Sequence, residues 1–108
     1  RCVRNARYKL IYNVTPWMEY APVDSAGDAG WKDMQKAHAE GRLNAKLEKT
    51  YFTTPRPIYE LYDCETDPSE LTNLAGKAEL AEIERELRKA LIEKCVKDYD
   101  FIPPPVLN

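Results

Sequence analysis

Hydrophobic and polar positions alternate early in the chain. Tyr8, Leu10 and Tyr12 are interleaved with Arg7, Lys9 and Ile11. This period of two, built from β-favouring residues, predicts a strand over residues 7–13. Residues 1–4 read as a shorter strand, with Asn5-Ala6 as the turn between the two. That turn lacks the Gly that two-residue hairpins favour. The Arg and Lys positions mark a solvated sheet face. A third strand is predicted over residues 58–63, with Ile58, Glu60 and Tyr62 on one face and Tyr59, Leu61 and Asp63 on the other. Apolar bulk on both faces predicts that this strand is central.

The period then changes. Over residues 77–97, Leu80, Ile83, Leu87, Ala90, Leu91 and the Lys94/Cys95 step recur at three-four spacing, while Glu79, Glu82, Arg85, Glu86, Arg88 and Lys89 take the other face. This predicts a long amphipathic helix that packs one side on the sheet. Coiled-coil pairing is the lesser reading, because the stripe spans only about three heptads and carries Ala at one seam position. Trp31, Met34 and His38 predict a short helix over residues 28–40, capped by Asp28 and closed by Gly41. Leu43 and Leu47 extend helical spacing over residues 42–50. Residues 13–30 read as a long loop carrying Trp17, Met18 and Tyr20, and residues 51–57 as extended chain punctuated by Pro55 and Pro57. Pro103, Pro104 and Pro105 cannot continue a helix and predict an extended tail lying over a surface. The fold class is therefore α+β. It is a small antiparallel sheet, with strands near 1–4, 7–13 and 58–63, on which the long C-terminal helix (77–97) and the short helix (28–40) pack.

Between the third strand and the long helix lies an acidic cluster that includes Asp63, Glu65, Asp67 and Glu70. Counted from Asp63, a calcium loop would need Gly at its sixth position and Glu at its twelfth, and these hold Pro68 and Leu74. The match fails. A capped structural turn fits better: Asp67 as N-cap, Pro68 in the first helical position and Glu70 three residues after the cap, with Leu71 and Leu74 pointing inward.

Composition narrows the chemistry. The chain has 108 residues, which suits a single domain. Sixteen basic against 18 acidic side chains leave a net charge of -2, which excludes a broad basic face for nucleic acid. No apolar run approaches the roughly 20 residues of a membrane span. Cys2, Cys64 and Cys95 are far apart and form no paired metal spacing; they read as small buried thiols. His38, the only histidine, reads as a packed, hydrogen-bonded side chain and not as a ligand. Asn13-Val14-Thr15 fits the N-glycosylation pattern, at a level expected by chance. There is no Gly-rich phosphate loop and no Gly-x-Ser-x-Gly elbow. No catalytic residue and no metal ligand is assigned, and the residues describe a domain without an active site of its own.

Two motifs carry a resemblance. Residues 1–11 read Arg-Cys-Val-Arg-Asn-Ala-Arg-Tyr-Lys-Leu-Ile, similar to the R-x-V-R-x-x-R-Y-K-L-I segment near the C-terminus of sulfatases. Glu60-Leu61-Tyr62-Asp63, followed by Glu65, Asp67-Pro68, Glu70 and Asn73-Leu74-Ala75, resembles that family's E-L-Y-D-x-E-x-D-P-x-E-x-x-N-L-A. The motifs stand in the family's order and precede an amphipathic helix, as they do there. The aromatic insert and Thr54-Pro55-Arg56-Pro57 look most like the heparan N-sulfatase branch.

The resemblance implies the C-terminal subdomain of an enzyme of the alkaline phosphatase superfamily. In that family a larger domain holds a formylglycine, made from Cys or Ser in Cys/Ser-x-Pro-x-Arg, and a calcium ion. Here no cysteine is followed by Pro two positions later, so neither group is expected in this chain. The implied partners are a missing N-terminal catalytic domain and a sulfated carbohydrate. Arg1 in place of an initiating Met fits a piece of a longer protein. For the longer protein the resemblance implies a periplasmic, secreted or lysosomal location, which the residues themselves do not give. Trp17 and Tyr20 become candidates for stacking on a sugar, and Arg42 and Arg56 for meeting a sulfate or carboxylate at the substrate rim. Burial of these aromatics against the catalytic domain is the competing reading. Asp67, Pro68 and Glu70 set the angle between strand and helix. An open sheet edge would permit self-association. A stand-alone binding module and a fragment of a related phosphodiesterase are the alternatives.

Overall fold

A computed structural model describes residues 1–100. The expected extended run of the proline tail lies outside the described residues. The described chain is α+β, with strands β1 (Cys2–Arg4), β2 (Tyr8–Tyr12) and β3 (Tyr59–Asp63) and helices α1 (Ala29–Ala39), α2 (Ala45–Tyr51) and α3 (Ala81–Lys97). It divides into two compact units. One holds Arg1–Thr15 together with the described residues from Pro57 onward, and the other is Pro16–Arg56.

In the first unit the strands form an antiparallel sheet in the order β1-β2-β3. Val3 pairs with Leu10, and Leu10 with Leu61, so these three side chains share one face. Helix α3 covers that face. Leu10, Leu61 and Leu87 form the buried core, with Val3, Leu74, Leu80 and Ile83 packed around it. Leu10 and Leu61 are wholly buried, each contributing about 1.5–3 kcal/mol of hydrophobic stabilisation. The β1–β2 connection needs no Gly because Asn5 does the turning. Its Oδ1 accepts from Arg7 N at 2.9 Å and Tyr8 N at 2.6 Å.

β3 is an edge strand, not the expected central one. Its apolar bulk on both faces has another cause. Residues 64–76 wrap around the outer edge of β3 and cover both sides. Glu70 reaches Lys9 on one face at 2.8 Å, while Leu74 joins the core on the other. The edge itself is closed by a side chain. Asn73 Oδ1 accepts from Leu61 N at 2.9 Å, and Asn73 Nδ2 donates to Tyr59 O at 3.3 Å. Leu74 N adds a bond to Leu61 O at 2.7 Å. Asn73 thus stands in for a neighbouring strand.

The second unit has an aromatic core. Trp31 of α1 is buried and lies parallel to Phe52, with ring centroids 5.5 Å apart. His38 stacks on Phe52 at 4.1 Å, and its Nδ1 meets the Glu48 carboxylate at 2.8 Å. His38 is therefore hydrogen-bonded and stacked on Phe52, but it stays exposed and is not buried on the apolar stripe. Gly41 has φ +70 and closes α1 through bonds from Gly41 N to His38 O and from Arg42 N to Ala37 O. The start of α1 differs from expectation, because the Asp28 side chain makes no capping bond. Asn44 does cap α2, accepting from Leu47 N. The thiols also differ: Cys2 is exposed, and Cys64 and Cys95 are half-buried. Cys2 pairs with Ile11 on the sheet face away from the core, where the strand period places it.

Candidate functional site

The chemistry-bearing side chains gather in two places, one in each unit. In the first unit the centre is Asp63, at the end of β3. It is buried and accepts a forked contact from Arg7, with Nη2 to Oδ2 at 2.7 Å and Nε to Oδ1 at 3.0 Å. It also accepts from Glu65 N and Thr66 N. The Arg7 guanidinium, aided by these amides, holds the Asp63 carboxyl well below the usual carboxylate range, and the pairing raises Arg7 in turn. Asp63 is therefore a fixed anion that launches the turn leaving the sheet. The sequence reading placed Asp63 in the acidic cluster but centred the turn on Asp67, without assigning Asp63 its pairing with Arg7. The signal available was a strand-terminal Asp followed by turn formers, with Arg7 at the start of the paired strand.

Asp67, Pro68 and Glu70 do lie in a turn, but it is not a helical capping box. Asp67 accepts from Leu71 N and Thr72 N, further along the chain than an N-cap reaches. Glu70 has φ +55 and sends its carboxylate to Lys9 Nζ at 2.8 Å. That bond raises the Lys9 pKa. Beneath it, Tyr62 donates to Glu60, whose other oxygen accepts from Asn13 Nδ2 at 2.7 Å. Burial, reinforced by Glu60, pushes the Tyr62 phenol up. The turn then joins α3 at Glu84, which accepts from Gly76 N at 3.2 Å and pairs with Arg88 at 3.0 Å. Every one of these carboxylates is committed to a structural partner.

In the second unit, Tyr20 and Arg56 come together. Tyr20 packs edge-on to Trp31 at 5.7 Å and against Tyr51 at 5.4 Å, so its own unit accounts for much of its ring. The Arg56 guanidinium lies 6.0 Å from the Tyr20 ring centre and donates to Met18 O at 3.3 Å. Arg56 N donates to Pro16 O at 2.8 Å. Trp17 stands between those two anchored carbonyls and is 67% exposed. Arg42 is not part of this corner: it is exposed and pairs with Glu40 at 2.6 Å.

Among the described residues, no group of three or more His, Cys, Asp or Glu side chains is placed to hold a metal ion. Among the described residues, no helix is long and apolar enough to cross a membrane.

Comparison with known proteins agrees with the family resemblance. No family model matches the chain. Over 93 residues, 84% of its length, it is 38% identical to an ulvan-active sulfatase of Formosa agariphila (strain DSM 15362 / KCTC 12365 / LMG 23005 / KMM 3901 / M-2Alg 35-1). The chain spans about 15% of the length of that curated relative. This identity supports a sulfatase-derived segment.

Proposed function

We propose that the chain is the C-terminal subdomain of a sulfatase acting on a sulfated sugar, and that it has no catalytic centre of its own. The observation that carries this reading is the 38% identity to a curated sulfatase over most of the chain. The two motifs that suggested it in the sequence fall on the β1–β2 hairpin and on the β3–turn segment, where Arg7 and Asp63 tie them together. In this reading the Asp63–Gly76 turn is a brace. The carboxylates are held by Arg7, Lys9 and Arg88, and a brace requires no free nucleophile or base. A catalytic domain in the same longer protein would supply the formylglycine and the calcium. The second unit would lie at the substrate rim, with Trp17, Tyr20, Arg42 and Arg56 as its candidate contacts. N-sulfoglucosamine, with its N-linked sulfate, is the particular substrate suggested by residues 54–57.

The test is direct. An open reading frame continuing upstream of Arg1 with a Cys/Ser-x-Pro-x-Arg motif is expected, and the longer protein should release sulfate from an aryl sulfate. The isolated chain should show no turnover. Metal-dependent turnover by the isolated chain, or a longer protein without sulfatase activity, would sink the proposal. Comparing an N-sulfated with an O-sulfated glucosamine decides the linkage.

A further inference from the structure

We infer that the Trp17–Tyr20–Arg56 corner of the second unit is a sugar-sulfate binding site that works through a single oriented guanidinium and an exposed indole. The inference rests on the sulfatase reading and narrows its rim to one place.

Three observations carry it. First, Arg56 makes no ion pair with a carboxylate among the described residues, although Glu19 lies on the same loop. The other arginine proposed for the rim, Arg42, is already neutralised by Glu40. A half-buried cation without a counter-ion favours an anionic ligand more than a solvated one does, because water screens it less. Second, the guanidinium is held in place. The Met18 carbonyl takes one of its donors, the Tyr20 ring lies beside it, and Nε is buried with no hydrogen-bond partner among the described residues. An anion would therefore be met by the outer, terminal N–H groups. Arginine orients sulfate-like oxygens through such a planar fork more tightly than a lysine point charge does. Third, the same residue positions the aromatic. Arg56 grips the loop at Pro16 O and at Met18 O, and Trp17 is the residue between them. An indole 67% exposed on the backbone segment that Arg56 pins offers an open aromatic face for a sugar ring.

The ligand class that fits is a sugar ring bearing a sulfate group, with the ring face on Trp17 and the sulfate on Arg56. A bare inorganic sulfate would use only half of the site.

The test uses the full chain and a short glucosamine oligosaccharide in sulfated and unsulfated forms, with binding read by calorimetry and by Trp fluorescence. The sulfated probe should bind, the unsulfated one should bind at least tenfold more weakly, and added salt should weaken the first. Arg56→Met should cost about tenfold or more, the scale of one charge-assisted bond. Arg56→Lys should recover part of the loss, and Trp17→Ala should weaken binding without changing the melting temperature, since its side chain is mostly in solvent. Lys46→Ala, an exposed lysine of α2, controls for diffuse charge. Equal binding of the two probes overturns the site, as does an unchanged affinity in Arg56→Met. An equal loss in Lys46→Ala also overturns it, because that would be non-specific attraction. Sulfate release by the longer protein is scored separately. If it is intact while the probe fails to bind, the site is refuted and the sulfatase reading stands.

Discussion

Asn73 can be removed with little change in shape, and the structure predicts a disproportionate cost. In Asn73→Ala, Leu61 N and Ala75 N both lose their acceptor, and Tyr59 O loses a donor. Leu61 is fully buried on the edge of β3, so water cannot replace the lost acceptor there without opening the core. A buried amide left unpaired costs about 1–3 kcal/mol, and the more accessible bonds about 0.5–1.5 kcal/mol each. The total is about 2–6 kcal/mol, a large share of the roughly 5–15 kcal/mol expected of a whole domain. The assay is urea unfolding followed by circular dichroism, with the slope m unchanged and the midpoint lowered. Amide exchange at Leu61 should accelerate more than exchange at Leu10. Asn73→Asp separates the two halves of the contact: it keeps the acceptor for Leu61 N but sets a carboxylate against Tyr59 O. It should therefore be destabilising, less so than Ala. A loss below about 0.5 kcal/mol for Asn73→Ala would refute the claim that this side chain closes the sheet edge.

Three further expectations follow from other parts of the molecule. The depressed Asp63 carboxyl contributes stability that is complete above the ordinary carboxylate pKa of about 4 and is lost as pH falls below it toward the lower folded value. Urea midpoints from pH 7 to pH 2 should therefore fall for the native chain and be lower but flatter for Asp63→Asn, and parallel curves would refute the linkage. Leu87→Ala should cost about 2–5 kcal/mol, since Leu87 is buried in one cluster with Leu10 and Leu61; denaturation at neutral pH checks it. Gly41→Ala, at φ +70, should destabilise the second unit by about 1 kcal/mol, whereas Gly30→Ala, with open space at the start of α1, should stabilise it by about 0.5 kcal/mol. Melting curves with opposite shifts are the expected result.

What the sequence disclosed follows from how local each signal is. The alternation of Tyr8, Leu10 and Tyr12 and the three-four stripe through Leu80, Ile83, Leu87 and Leu91 are carried by neighbouring residues, and β2 and α3 appeared where they pointed. The place of β3 in the sheet was not local. Its two apolar faces are covered by the turn that follows it, which no periodicity within 58–63 reveals. The anchoring role of Asp63 was hidden for the same reason, since its partner Arg7 lies 56 positions away and meets it only through strand pairing. The thiols were judged by residue type alone, and register put Cys2 outside. Of the rim candidates, sequence grouped four residues by chemistry. The structure brings Tyr20 and Arg56 together, sets Trp17 beside the carbonyls Arg56 grips, and pairs Arg42 elsewhere with Glu40.

The bond from Arg56 N to Pro16 O has a kinetic meaning as well. It joins the two ends of the Pro16–Arg56 unit, while Asn13 N to Ile58 O carries the β2–β3 ladder to its last rung. If the unit forms first, its roughly 40 residues shrink to a connection a few residues long, which removes about 2 kcal/mol of closure entropy from the pairing of β2 with β3. Strands distant in sequence would then pair at the speed of a hairpin. The length of the insert would be free to change without disturbing strand register.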